Sequence, residues 1–349
     1  MASNAVQLAE DWDNRMDVKS FGGRSFSRIY ETIEFFDSLH YNQYVPAQGA
    51  GHQEFLRRFD HWLENVDIDG DKRVLFEFAP RILFFGQKEF TKLHQAAFRG
   101  PVTRWVIDEL GLMLDDPQLD SKIVAELADH TWYCPVTDSM PISDFHHAND
   151  VGGVNYRPEF RSLAAFQDEG TALKDKLLNF MRNPGAPTGT APPLNRIVLL
   201  EDFVGGGTQV EEAIRLAASL DPAIDVLFVP LIICPSGSRN VRALVTALAN
   251  VHYEPVLELT EDTFINARST PPNGSLESAV KDLVTRTYKK VKGDNAASPR
   301  PYTAFGFPPS NGTGATLVTY SNTPANTLPM IQHESNTWNA LFRRSARIR

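Results

Sequence analysis

The sequence predicts an α/β protein, a mostly parallel sheet with an N-terminal helical region. Three observations carry this expectation. From Ile197 onward, short apolar runs alternate with segments whose apolar residues recur every three or four positions, the order of strand, helix, strand, helix, strand that right-handed crossovers join. Before residue 130 the apolar residues keep helical spacing almost throughout. Near the centre of the chain, Arg196-Ile-Val-Leu-Leu-Glu-Asp-Phe-Val-Gly-Gly-Gly-Thr-Gln209 places an apolar strand, two carboxylates, a glycine loop and a helix start in direct succession.

In chain order, residues 1 to about 27 are polar and are expected to be loosely held. Phe55, Leu56, Phe59, Trp62, Leu63 and Val66 then form one broad apolar helical face. Similar faces cover 71–85, 88–98, 102–114 and 121–129, divided by Asp69-Gly70, Gly86, Gly100-Pro101 and Asp116-Pro117 as turn or helix-end signals. Around Thr131 the texture changes to short segments broken by proline and glycine. The expected division is therefore a helical region over 1–125 and an α/β domain over 126–349. Within the second, Ile197–Leu200 reads as a strand buried on both faces, followed by a helix through Val210, Ala213, Ile214, Ala217 and Leu220. Strands are expected at Asp225–Cys234, Val251–Leu259 and Ala315–Tyr320, and helices around Val241–Leu248, Leu276–Val291 and Glu334–Arg344. The stretches Asn183–Pro193 and Gly293–Arg300 read as polar loops.

A net charge of −9 over 349 residues argues against a broad nucleic-acid surface, which needs clustered Lys and Arg. Arg343, Arg344, Arg347 and Arg349 form either a local basic patch or a solvated tail. Cys134 and Cys234 lack metal-ligand spacing and read as structural thiols in a reducing compartment. The opening residues contain neither a basic region nor an apolar core, and no apolar stretch is long enough to span a bilayer, so a cytoplasmic location without membrane contact is expected.

The central motif sits at the carboxyl end of a strand, where α/β sheets bind ligands, and leads into a helix whose first turn offers free N–H groups to a phosphate. Gly205, Gly206 and Gly207 permit close backbone approach and positive φ, and the Thr208 hydroxyl adds a donor beside Gln209. Glu201 and Asp202 are suited to ribose hydroxyls or to a divalent cation that offsets phosphate charge, with Mg the expected cofactor. The plainer alternative is a tight turn whose carboxylates face solvent or cap the next helix. A Walker A loop would need a lysine after the glycines, and a dinucleotide loop needs Gly-x-Gly-x-x-Gly directly after the strand; neither is present.

Two other clusters look like ligand sites. Asp67-x-Asp69-x-Asp71 starts like a calcium loop, but Lys72 and Phe78 replace the required glycine and glutamate, so an interhelical turn is expected. His146 and His147 are adjacent and cannot easily reach one metal together, so solvent-facing or capping roles are expected.

Apolar strand, two acids, two apolar residues and a small-residue loop is the order of the phosphoribosyl pyrophosphate (PRPP) motif, so the segment resembles type I phosphoribosyltransferases. Where their loop carries Thr-Thr-Gly-Ala/Gly-Thr, this chain has Gly205-Gly-Gly-Thr-Gln209, with two hydroxyl donors missing and one displaced. Phe55-Leu-Arg-Arg-Phe-Asp-His-Trp-Leu63, the variant loop, Ser321-Asn-Thr-Pro-Ala-Asn-Thr-Leu-Pro329 and Trp338–Arg343 together resemble the PRTase-CE family, phosphoribosyltransferase-like proteins of bacterial conflict systems. That resemblance implies a type I phosphoribosyltransferase-like fold and a setting in antiviral defence. By position it implies that Glu201 and Asp202 meet the ribose and act in catalysis, and that Gly205–Gln209 wrap the 5′-phosphate. Asn322, Pro324, Asn326 and Pro329 are either site residues or a rigid turn. Asp138 and Ser139 are taken as a second ligand loop. The implied function is binding of a phosphoribosyl compound or nucleotide with transfer or hydrolysis at ribose C1, the alternative being a non-catalytic nucleotide-sensing or assembly module. The helical region is expected to recruit a protein partner.

Overall fold

In the computed structural model of the chain, the described residues are 4–48, 55–137, 139–152, 171–184, 192–293, 303–308 and 312–345. They form two compact units, one of Met1–Gln87 with Glu261–Arg349 and one of Lys88–Thr260. The expected division at 125/126 is not the one observed. Helical spacing continues across residue 87, so the sequence carries no texture change there, and the last quarter of the chain returns to pack with the first.

The first unit opens on α1 (Asn4–Asp13), which buries Ala5, Ala9 and Trp12 at intervals of four and three. Asp60 accepts the amides of Asn4 and Ala5, satisfying a helix N-terminus with a negative charge. The opening residues are thus tied down, contrary to expectation, because three apolar positions in a polar segment suffice when a carboxylate caps the helix. Next come α2 (Phe26–Leu39), α3 (Phe55–Leu63), α4 (Asp69–Phe78) and a short strand β1 (Leu83–Phe85). Trp12, Phe26, Phe59 and Phe76 meet at ring separations of 5.1–6.3 Å and form an aromatic centre. Of the three acids at 67, 69 and 71, only Asp67 lies in the expected interhelical turn; Asp69 and Asp71 sit in the first turn of α4, where Asp69 accepts Trp12 Nε1 at 2.7 Å and Asp71 takes both terminal nitrogens of Arg286.

The second unit contains α5 (Gln87–Ala97), α6 (Thr103–Leu110), α7 (Leu119–Asp129), β2 (Thr131–Pro135), α8 (Ile142–Ala148), α9 (Thr171–Arg182), β3 (Arg196–Val204), α10 (Thr208–Ala218), β4 (Asp225–Ile233), α11 (Pro235–Thr246), β5 (Val251–Tyr253) and β6 (Leu257–Glu258). Gly100-Pro101 does not end a helix. It lies in a π-helical turn over Phe98–Val102 that joins α5 to α6, a local widening that accommodates a proline lacking its N–H. The sheet is parallel throughout, in the order β2-β3-β4-β5, with β6 also pairing with β4. The expected single strand over 251–259 is broken into β5 and β6. Leu177 and Met181 of α9, Val210 and Ile214 of α10 and Val241 and Leu244 of α11 pack with Trp132, Ile197, Leu199, Val226 and Phe228 on one face of the sheet. On the opposite face, Tyr133 meets Phe98 and Phe145, and His252 meets Trp105.

The chain then returns to the first unit through α12 (Leu276–Lys292), β7 (Leu317–Thr319) and α13 (Pro329–Gln332). β7 pairs parallel with β1 in a separate two-stranded sheet, so the expected last strand does not extend the main one. The expected helix over 334–344 is absent. Leu341 and Phe342 are instead buried by backbone bonds such as Phe342 N to Ile331 O, with Trp62 and Trp338 both donating their Nε1 to Met330 O. Asn322 Oδ1 accepts the amides of Thr323 and Ser345, and Asn326 Nδ2 donates to Phe307 O and Thr313 Oγ1, so both asparagines brace turns within this unit.

Glu77 is buried in the first unit, where its Oε2 accepts the Phe21 amide at 2.9 Å. Burial pushes its carboxyl from 4.5 up to about 7. Between those values the folded chain holds a proton that the unfolded chain has released. The stability contributed is therefore full below 4.5 and is lost as the pH rises through 7. Glu77→Gln keeps the acceptor and removes the charge. Thermal melts should show wild type losing about 1–3 kcal/mol relative to this variant between about pH 5 and about pH 8.5.

Candidate functional site at the end of the central strand

β3 runs beyond its apolar residues and carries Glu201 and Asp202 inside the strand, at 3% and 8% exposure. Two neighbouring strand residues ordinarily point to opposite faces. Here the pleat shifts. Leu199 and Val204 lie in the same core although five residues apart, as do Phe228 and Ile233 on β4. Between them Glu201 stands opposite Pro230, a residue with no N–H for the ladder. The shift explains how adjacent carboxylates both reach the segment that follows β2.

There Thr137 gives Glu201 two hydrogen bonds, from its amide at 3.0 Å and its hydroxyl at 2.6 Å. Ser139 Oγ donates to Asp202 Oδ1 at 2.7 Å, and that oxygen also accepts the Phe203 amide. The two hydroxyls lie 2.7 Å apart. Three short oxygen contacts thus run Glu201–Thr137–Ser139–Asp202, while the hydroxyls supply only two protons. The donor set consists of oxygen alone and fits a hard cation such as Mg²⁺, with Glu201 and Asp202 as the residues that would hold it.

Gly205, Gly206 and Gly207 follow directly. Gly207 is left-handed (φ +86°) and precedes α10, whose first turn has no side-chain cap. Thr208 and Gln209 are exposed on that first turn, beside helix N–H groups that favour an anion. The loop is fixed from behind by α11: Asn240 Nδ2 donates to Gly206 O at 2.8 Å, Ser236 Oγ donates to Gly205 O, and Cys234 N donates to Val204 O. A Cβ on Gly237 would stand 2.5 Å from the Gly205 carbonyl oxygen, so only glycine permits this approach. Gly206 faces open space.

Of the residues expected from sequence, Glu201, Asp202, Ser139 and the loop Gly205–Gln209 lie along one strand end and its adjoining segments; Asp138 lies outside the described residues. Thr137, Ser236, Gly237 and Asn240 were not foreseen. The signal for Thr137 was a hydroxyl immediately after the apolar run Trp132–Val136, and for Gly237 a small residue inside the first helical turn after β4. His146 is buried beside Tyr133, contrary to expectation, because α8 turns that side toward the sheet, while His147 is exposed. Cys134 and Cys234 are buried and form no disulfide.

The loop separates the roles of its glycines. Gly206→Ala should leave stability within about 0.5 kcal/mol of wild type, whereas Gly207→Ala should cost about 1–2 kcal/mol through its left-handed backbone. Gly237→Ala should also destabilise, by pushing α11 from the loop. Denaturant unfolding of the three variants checks this order.

The sequence model of the PRTase-CE family matches residues 59–344, which span the acidic strand, the glycine loop and the Asn322–Pro329 segment. No curated protein and no solved structure matches the chain. No helix among the described residues is long and apolar enough to cross a membrane. With its parallel sheet, its N-terminal helices and a match over most of its length, the chain belongs to the PRTase-CE family and is a phosphoribosyltransferase-like protein.

Proposed function

We propose that the protein binds a phosphoribosyl compound, PRPP or a nucleotide, together with Mg²⁺, and transfers or hydrolyses at ribose C1. The observation that carries this reading is the buried acidic pair, separated only by Phe203-Val204 from a glycine loop that leads into an uncapped helix N-terminus. The first turn of α10 and the loop amides bind the 5′-phosphate, and Glu201 and Asp202 orient the ribose hydroxyls. Bound Mg²⁺ would neutralise charge on a leaving pyrophosphate. Breaking the C1 bond builds positive charge on the sugar, which the two carboxylates stabilise from close range. Thr137 and Ser139 keep both acids in place until the ligand arrives. The family's setting supports a role as an effector in bacterial antiviral defence, with a protein partner recruited through the N-terminal helices.

One observation favours a second reading, a nucleotide-sensing or assembly module that performs no chemistry. Both oxygens of Glu201 are already engaged by Thr137, and glycine stands where threonine hydroxyls would add phosphate contacts.

Calorimetric titration with PRPP, with and without Mg²⁺, decides between binding and no binding. Wild type should bind, Gly206→Val should bind no ligand while remaining folded, and Asp202→Asn should weaken binding about 10–100-fold. Undiminished binding by both variants would remove the site from this strand end. Phosphorus NMR of the bound mixture, with and without added nucleobases as acceptors, then separates the readings, since pyrophosphate release marks catalysis and ligand left intact in every mixture marks sensing.

A further inference from the structure

A second cluster lies at the other edge of the main sheet, where the strands begin. Asp225 is the first residue of β4, and His252 is the middle residue of β5, opposite Leu227. Asp225 and Leu227 are two residues apart and share a face, so Asp225 and His252 are diagonal neighbours on one side of the sheet. Glu109, near the end of α6, meets them there. Its Oε1 lies 3.3 Å from His252 Nε2, and ligand atoms of all three residues lie within 4.8 Å of one another.

We propose that Glu109, Asp225 and His252 form a binding site for a divalent transition cation of the zinc class. One imidazole nitrogen and two carboxylate oxygens are a common three-ligand set for such ions, with a remaining position open to water. His252 is about half exposed, so an ion has a route in from solvent, while Glu109 is largely buried. The surrounding groups hold Glu109 as outer-shell partners hold a metal ligand: Trp105 Nε1 donates to Oε1 at 3.0 Å, and Arg196 Nε stands 3.7 Å from Oε2. Trp105 also packs its ring 5.9 Å from that of His252.

The charge balance favours a cation. Glu109, Asp225 and Glu126 are three acids against Arg196, which is itself paired with Glu126 at 2.6 Å. Glu109 and Asp225 repel each other unless a proton or a cation separates them. The residues come from α6, β4 and β5, so a bound ion fastens a covering helix to two strands. This site shares no residue with the glycine loop and is independent of the function proposed there.

The test is titration of the full chain with Zn²⁺ against a chromophoric chelator, with Co²⁺ absorption as a second readout of coordination. Wild type should take up one equivalent. His252→Ala and Asp225→Asn should each weaken uptake about 10-fold or more, while His147→Ala leaves it unchanged. Circular dichroism checks the fold of each variant. Should Asp225→Asn fail to fold, the more exposed His252 decides alone. No uptake by wild type, or uptake unchanged by His252→Ala in a folded protein, overturns the proposal.

Discussion

Glu201 and Asp202 are neighbours in one strand, both nearly buried, and both turned toward the segment after β2. Two carboxyl groups in that position need hydrogen-bond donors to offset the loss of water. Thr137 and Ser139 provide donors to both. The rest of the site follows from that constraint. A pleat shift opposite Pro230 lets adjacent side chains serve one segment, and β3 must extend past its apolar residues to carry them.

The glycine loop depends on a different constraint, close backbone approach. Asn240 and Ser236 take the loop carbonyls, Gly237 lets α11 lie against Gly205, and Gly207 turns the chain into α10. With its carbonyls engaged from behind, the loop presents a helix start with no competing side-chain cap. An acidic strand end followed by an anion-accepting turn suits a ligand with hydroxyls and a phosphate on the same small scaffold. Free phosphate would use the turn and leave the acids without a role.

Much of this was legible in the sequence, and the exceptions have physical causes. The central strand was recognisable because four apolar residues, two acids and three glycines follow one another directly before a helical pattern. The amphipathic helices were recognisable because their apolar faces are long. By contrast, β1 has three residues, too few for a period, and ends a stretch expected to be helical, while its pairing with β7, a strand that was expected, joins positions more than 200 residues apart. The segment 334–344 resembles a helix in composition, yet tertiary contacts of Trp338, Leu341 and Phe342 override that preference. The hydroxyls that hold the acids were legible only in part. Ser139 fell inside the expected second ligand loop, but Thr137 carries no signature until β2 and β3 are known to be neighbours.

On the proposed reading, the acids of β3 and the turn that follows them act as one phosphoribosyl site. Amide hydrogen exchange with and without PRPP and Mg²⁺ tests it most directly. Protection should rise over Gly205–Gln209 and at Thr137 and Ser139, with each region's gain depending on the presence of the ligand. Binding that leaves these amides unchanged, or that protects only residues in the unit formed by Met1–Gln87 and Glu261–Arg349, would contradict the account.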